Sequence, residues 1–522
     1  MVYLPETAGS NRGKTVHKRS KLLTALVAVA GLTLAACGGD DGGSSDAPAT
    51  EAPATEAPST DEPSTDAPAE PGDSGCPSEP DTSLDAAGGE GTGALEQALQ
   101  CAEASPLAAE GDPIVIGIMN PEGDPNGSFP EYTVMAQAAV DFINEELGGI
   151  GADYASGTPG RPIKLEVCKM AISPVDSQKC ANELASKNPL VVYSTLNFFG
   201  NHFPILVEAG IPVVVGTPIS PADFTTAGVY AIGGGGGCLG VHTGLIYYAT
   251  QEVLGGTSDA VKVGVPWANT PPGVFCYHDL EKKPMNVLNG STSSTSSLAG
   301  SMPGLEHIGV PILPGQADVT PDAQKVLDFS PDVVVYSGQG ADCWSLVNSM
   351  LKLGWTPDAT PLVLSGSCTD LTTMSELGDK IKGIYIVGSS SILDPDALPA
   401  GQLQREARVY AEKGAQYASD DTSVGKGFGT QGFTGIMAIW QIANSIAGDL
   451  TGEALVNAFE STKGHHAFAG SGISCQDAIA PYVAVCNSLV SASQWDGSTL
   501  VPVKDDFSGL DLVAGTELDF GS

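Results

Sequence analysis

A serine and a lysine three residues apart, Ser349-x-x-Lys352, have the spacing of an acyl-transfer nucleophile and its base. They fall inside an apolar-periodic helix and lack the Ser-Asp-Asn and Lys-Thr-Gly partners of that chemistry, so the spacing is coincidental. No Gly-x-Ser-x-Gly elbow occurs to expose a serine nucleophile. His465 and His466 are adjacent rather than four apart, so they cannot aim two imidazoles at one metal from a helix face. Solvated loop histidines are expected there. Gly235-x-Gly237-x-x-Gly240 satisfies a dinucleotide-binding pattern in form, but it sits in a run of five glycines, Gly233 to Gly237. No acid lies in a strand about 20 residues further on to hold a ribose, and no lysine followed by Ser or Thr closes a phosphate loop. The run reads instead as a hinge through Gly233, Gly235 and Gly237, where glycine absorbs backbone rotation. No enzyme activity, cofactor or metal is expected.

The side chains left to act are hydroxyls, amides and aromatics, and they recur just after strands. Strands are expected over 114–119, 163–167, 190–193, 212–215, 261–265, 308–313, 333–336, 362–364, 384–387, 482–486 and 500–503. Several are continuous apolar runs, the mark of strands buried on both faces. Helices are expected between them, over 176–187, 202–208, 239–253, 321–329 and 343–353, with later ones at 403–417, 431–446 and 453–459. The first begins beyond Pro130 and carries Met135, Ala138, Ala139, Phe142 and Ile143 on one face. Such alternation means an α/β protein with mainly parallel sheets flanked by helices. In such sheets ligands bind beyond the carboxyl ends of strands, where helix N-termini offer free N–H donors. The candidates there are Ser128, Phe129, Thr195, Asn197, Phe198 and Thr217 in the first half, and Trp267, Asn269, Gln339 and Ser367 in the second. Hydroxyls and Asn at such places also serve as caps and turn formers.

The net charge is −38, and no Lys or Arg occurs between Lys21 and Arg161. That surface repels nucleic acid and anionic headgroups, so a nucleic-acid role is excluded. A basic start with Lys14, Lys18, Arg19 and Lys21 precedes an apolar run from Leu22 to Leu34. This is an export signal, too short to span a bilayer permanently. It ends Leu34-Ala35-Ala36-Cys37, which resembles the lipobox of bacterial lipoproteins. The resemblance implies cleavage after residue 36 and a lipid on Cys37. Residues 37–75 then form an acidic, Pro-rich tether built on a five-residue repeat from Asp46, unable to form a core. Residues 76–112 make a small extension with one helix over 94–103. Ten cysteines remain, without any C-x-x-C, in a chain sent to an oxidising space. Nearest-neighbour disulfides are expected: Cys76 with Cys101, Cys168 with Cys180, Cys238 with Cys276, Cys343 with Cys368, and Cys475 with Cys486.

The wording of the segments resembles the type I substrate-binding proteins of ABC importers, the Leu/Ile/Val-binding family. The resemblance rests on Ile114 to Met119, Asp141-Phe142-Ile143-Asn144, Gly148-Gly149-Ile150 and Gly160-Arg161-Pro162-Ile163. It continues in Glu208-Ala209-Gly210-Ile211-Pro212-Val213-Val214. Tyr482-Val483 and Gln494-Trp495-Asp496-Gly497 are similar to that family's closing hairpin. It implies two lobes joined by three crossovers with the ligand between them. On that template lobe one takes 113–235 and 389–460, and lobe two takes 236–388 and 461–522. In that family lobe one holds a carboxylate through hydroxyls and N–H groups, which Thr195 and Thr217 match. Lobe two supplies an aromatic and an acid for an ammonium, yet the matching loops here read Ser337-Gly338-Gln339-Gly340 and Ser365-Gly366-Ser367-Cys368. An amide or small carboxylate therefore stands beside an amino acid as the expected ligand. The implied function is a lipid-anchored, extracytoplasmic solute-binding protein serving an ABC permease. The alternative is a ligand-sensing ectodomain signalling to a membrane receptor.

Overall fold

The computed structural model describes Cys76 and residues 92–518, apart from 317, 390, 391 and 479. The export signal, Cys37 and the tether of 37–75 lie outside the described residues. Among the described residues no helix is long and apolar enough to cross a membrane.

The first sheet is parallel, in the order β2-β1-β3-β4-β5. Its strands are β1 (Ile114–Pro121), β2 (Ile163–Met170), β3 (Val191–Leu196), β4 (Val213–Thr217) and β5 (Val229–Ala231). β3 is buried along its whole length, as its apolar run requires. The extension folds as α1 (Thr92–Ala104), and α2 (Pro130–Glu145), α3 (Pro174–Ala185), α4 (Phe203–Glu208) and α5 (Pro221–Thr225) connect the strands. Met135, Ala138, Ala139, Phe142 and Ile143 of α2 are all fully buried.

After β5 the chain passes through Gly233 to Gly237 into a helix of three parts: Cys238–His242, α6 (Thr243–Tyr247) and Tyr248–Val253, the outer two widened to π-type turns. It leads to β6 (Val261–Ala268). A second long helix follows, absent from the sequence reading: α7 (Pro271–Tyr277), a π-type turn at His278–Lys282, and α8 (Lys283–Leu288). Next come β7 (Leu305–Ile312), α9 (Thr320–Asp328), β8 (Val333–Tyr336), α10 (Ala341–Lys352), β9 (Leu362–Ser365), α11 (Leu371–Leu377) and β10 (Tyr385–Gly388). The chain then returns to the first lobe through α12 (Gln402–Tyr417), α13 (Gly427–Asn444) and α14 (Gly452–Ser461). The second sheet is completed by an antiparallel hairpin, β11 (Val490–Trp495) and β12 (Leu500–Phe507), giving the order β12-β11-β10-β9-β8-β6-β7.

Two expectations need correction. Tyr482-Val483 does not enter the closing hairpin, and 482–486 is not a strand: only Val485 makes a bridge, to Ala231 on the edge of the first sheet. Ala231 donates to Ala484 O at 2.8 Å and accepts from Cys486 at 3.1 Å, while Pro481 has no N–H to extend the ladder. The division at 461 also falls early. Phe468, Ile473, Val485 and Cys486 share the first lobe's core, and the chain joins the second sheet only at Val490.

The three crossovers touch. A Cβ on Gly235 would lie 2.6 Å from Val490 Cγ1 and 3.4 Å from Ser389 Cβ. One on Gly237 would lie 1.7 Å from Pro218 O, and Gly235, Gly236 and Gly237 all have φ between 54° and 71°. Glycine is thus required here by close approach and by left-handed backbone. The structure also joins the five expected cysteine pairs as disulfides.

Candidate functional site

The loops beyond β3 and β4 face those beyond β6, β8 and β9 across a cavity of about 80 Å³. Counting one water-sized unit per 10–15 Å³, it suits a solute of on the order of five to eight non-hydrogen atoms. An outer mouth of about 660 Å³ adjoins it, sharing Gln339, Ser367, Gly427 and Phe428.

The first lobe's wall is built by α13 lying close on α2. A Cβ on Gly432 would sit 2.4 Å from Tyr132 O, and one on Gly435 would sit 2.3 Å from Tyr193 Oη. That approach delivers Gln431 and Phe428 to the cavity. Gln431 Oε1 accepts from the hydroxyls of Tyr132 and Thr217, which also touch each other. Tyr193 Oη donates to Gln431 O at 2.8 Å. Burial pushes the Tyr132 phenol well above its usual range, so it stays protonated and holds this trio.

The second lobe's wall is a shelf of hydroxyls and main chain. Ser367 Oγ donates to Gly338 O at 2.8 Å and lies 2.7 Å from Ser365 Oγ. The Cys343–Cys368 bridge braces the shelf: a Cβ on Gly338 would be 2.9 Å from Cys343 Sγ. Beside it stand Cys238, Val241 and His242 from the helix after the glycine run. His242 Nδ1 approaches Glu281 Oε1 to 2.7 Å, off the line of a straight hydrogen bond. Cys238, His242 and Cys276 are close enough together for a metal, but both sulfurs are spent in the Cys238–Cys276 disulfide.

At the mouth, Phe129 meets Phe428 edge-on at 5.0 Å, and Lys426, Glu131, Asp342 and Asp370 supply the charge. Burial raises the Glu131 carboxyl above its ordinary value, opposed by Lys426.

The candidates named from sequence divide. Thr217, Gln339 and Ser367 line the cavity, while Ser128 and Phe129 line the mouth. Ser128 Oγ is engaged in accepting from Gly123 N at 2.8 Å. Thr195 is fully buried, donating to Asn120 Oδ1 at 2.6 Å, and Asn120 in turn holds Phe129 O at 2.7 Å. Asn197 is buried and bonded to Ser177 and Phe199, and Phe198 packs on the first lobe's core. Trp267 stacks on Tyr277 at 5.0 Å, and Asn269 is exposed. These four and Thr195 are not brought to the cavity. Gln431, Phe428 and His242 are brought there unannounced. The helical pattern included Gln431 and His242, but nothing in it gave them a partner.

A family model described as periplasmic binding protein matches residues 113–481. Comparison with functionally characterised proteins finds no match. Among solved structures, a branched-chain amino acid ABC transporter protein from Thermus thermophilus with bound valine gives a TM-score of 0.56 at 13% identity, covering 78% of this chain and 99% of that one. A solute-binding protein from R. palustris in complex with 4-hydroxybenzoate gives 0.56 at 15%, covering 76% and 97%. A fatty acid ABC transporter substrate-binding protein from Thermomonospora curvata gives 0.55 at 14%, covering 78% and 95%. Identities this low speak for the fold, two parallel-dominated sheets flanked by helices. The chain belongs to the periplasmic binding protein family, in its two-lobed type I form.

Proposed function

We propose that this chain captures a small polar solute between its lobes and delivers it to an ABC importer, held at the outer face of the cell membrane by a lipid on Cys37. No bond is made or broken. One observation carries the reading: a small cavity between the lobes, walled by hydroxyls, amides and main chain, and lined by no Lys, Arg, Asp or Glu among the described residues. Such a wall suits reversible capture, because neutral donors hold a solute without the desolvation cost of a buried charge. Thr217, Gln339 and Ser367 are the proposed ligand contacts, with Phe129 and Phe428 closing the mouth. Gly233, Gly235 and Gly237 form the proposed hinge, since all three crossovers meet there.

The test is a thermal-shift screen against amino acids, amides, ureas and short organic acids. A solute at 100 times its Kd should add about 2.7 kcal/mol of stability. If no member raises Tm, the capture reading falls. The anchor is tested separately by the mass of the mature N-terminal peptide, which should carry acyl chains on Cys37.

A further inference from the structure

Building on the capture reading, we propose that the mouth is a second subsite, where Glu131 receives the cationic end of a solute whose polar head fills the inner chamber. The solute class is then an elongated one: a small polar head, a short linker and a terminal ammonium or guanidinium.

The two spaces share a border. Gln339, Ser367, Gly427 and Phe428 line both the chamber of about 80 Å³ and the mouth of about 660 Å³. A solute too long for the chamber therefore extends into the mouth, past Phe428. The two linings differ in charge. No Lys, Arg, Asp or Glu lines the chamber among the described residues, whereas Glu131, Asp342 and Asp370 line the mouth against one cation, Lys426.

Acids at helix starts are commonly spent on the helix or its neighbours. Asp370 caps α11 by accepting from Thr373 N at 3.0 Å, and Asp342, in the first turn of α10, accepts from Gly315 N at 2.9 Å. Glu131 differs. It stands in the first turn of α2, between Phe129 and Tyr132, which pack on Phe428 at 5.0 and 5.4 Å. It is only 8% exposed. Among the described residues its carboxylate meets its own main-chain N–H and no hydrogen bond or ion pair from another residue. On the second lobe's side of the mouth, Trp344 is 4% exposed and its indole N–H has no partner. Buried polar groups are rarely left unpaired, and a guest that completes them accounts for both.

The sign of the guest's charge follows from the lining. Burial raises the Glu131 carboxyl because its charged form lacks solvent, and Lys426 opposes the rise. An ammonium or guanidinium there replaces the lost solvent with an opposite charge and a donor, and so favours the ionised form. The rings of Phe129 and Phe428 line the same space and favour a cation over an anion. An anionic end would meet three carboxylates and one cation.

The test is isothermal titration calorimetry on the full chain at about pH 8, above the ordinary carboxyl range. Three series, each with one head, end in an ammonium, a methyl or a carboxylate. They are L-lysine, L-2-aminoheptanoate and L-2-aminopimelate; 6-aminohexanamide, heptanamide and pimelamate; and 6-aminohexanoate, heptanoate and pimelate. In a series that binds, the ammonium member should bind about tenfold or more tightly than the methyl member, and the carboxylate member most weakly. Glu131→Gln should shrink the ammonium-to-methyl ratio several-fold, whereas a merely structural role would weaken all members alike. Lys426→Met removes the competing cation and should raise the same ratio, a shift of opposite sign. If Glu131→Gln fails to fold, Lys426→Met decides. A methyl or carboxylate member that binds as tightly as the ammonium member, or a ratio that neither variant moves, overturns the assignment. If no member of any series binds while the wider screen has a binder, the assignment falls and the capture reading stands.

Discussion

The main-chain N–H of Gly427, at the start of α13 in the first lobe, donates to the carbonyl of Thr369 in the second lobe at 3.0 Å. Asp370 and Lys426 continue the contact as a bridge, and a Cβ on Gly427 would lie 2.1 Å from Gly366 O. The lobes are thus latched backbone to backbone on one flank of the cavity. The latch closes directly over Phe428, which lines both the inner chamber and the mouth.

Gly427→Ala should act on closure and leave folding largely intact. Its φ lies outside the left-handed region, so alanine meets no backbone strain, only the opposing carbonyl. The closed form should lose its latch, and affinity for any bound solute should fall about tenfold or more, the loss of one or two hydrogen bonds with their packing. Small-angle scattering should find the liganded variant more open than the wild type. Unchanged affinity would mean the latch plays no part in capture.

Thr217→Ala and Thr195→Ala should separate binding from stability. Thr217 lines the cavity beside Gln431, so its loss should cut solute affinity about tenfold with little change in the ligand-free Tm. Thr195 is fully buried and bonded to Asn120, so its loss should cost about 1–3 kcal/mol of stability through an unsatisfied amide oxygen. The solute-induced shift should survive in Thr195→Ala. The reverse pattern would place the contact on the wrong threonine.

Asp223 should make stability fall as pH rises through the weakly acidic range. Burial lifts its carboxyl from 3.8 to about 7, opposed by the N–H groups of Ser220 and Ile219, which donate to it. A folded pKa above the unfolded one means the native state binds the extra proton between those values. The stabilisation is complete below pH 3.8 and is lost as pH approaches 7. Asp223→Asn keeps an acceptor for both N–H groups and should flatten that part of the pH–stability curve, read by chemical denaturation. Since Ile219 lines the cavity, solute affinity should follow the same trend in the wild type alone.

Replacing Cys238 and Cys276 together by serine should cost about 2–4 kcal/mol, the range for closing a loop of moderate length. It should also loosen the His242–Glu281 pair, which the bridge flanks. A drop in Tm with unchanged solute affinity would separate the bridge's role in stability from the shape of the cavity it lines.

The sheets were legible because β1, β3, β4 and β8 are apolar runs buried on both faces, a pattern that survives any tertiary context. The helix over 271–288 was not. Pro271-Pro272-Gly273 and Pro284 read as breakers, yet Pro271 sits at the helix start, where a missing N–H costs nothing, and Pro284 follows directly on the widened turn His278–Lys282. β5 is only three residues long, too short for periodicity to register. The helix expected from 431 begins four residues earlier, at Gly427; in sequence Gly427 and Gly429 look like loop, and Gly432 lies inside the helix. They are glycine because Gly366 O, Ser423 O and Tyr132 O lie where their Cβ atoms would be.

Periodicity by itself determined two α/β lobes with mainly parallel sheets, because it is a local property of the chain, while the binding role rested on the resemblance of its segments to the Leu/Ile/Val-binding family. Which polar groups face the solute was decided only by tertiary structure. Thr195 and Thr217 both stand at the carboxyl ends of their strands, but one hydroxyl turns to Asn120 in the core while the other residue lines the cavity. His242 and Glu281 are far apart in sequence and meet at 2.7 Å because two widened helical turns face each other across a disulfide. Contacts of that kind depend on packing between distant segments, and no local pattern encodes them.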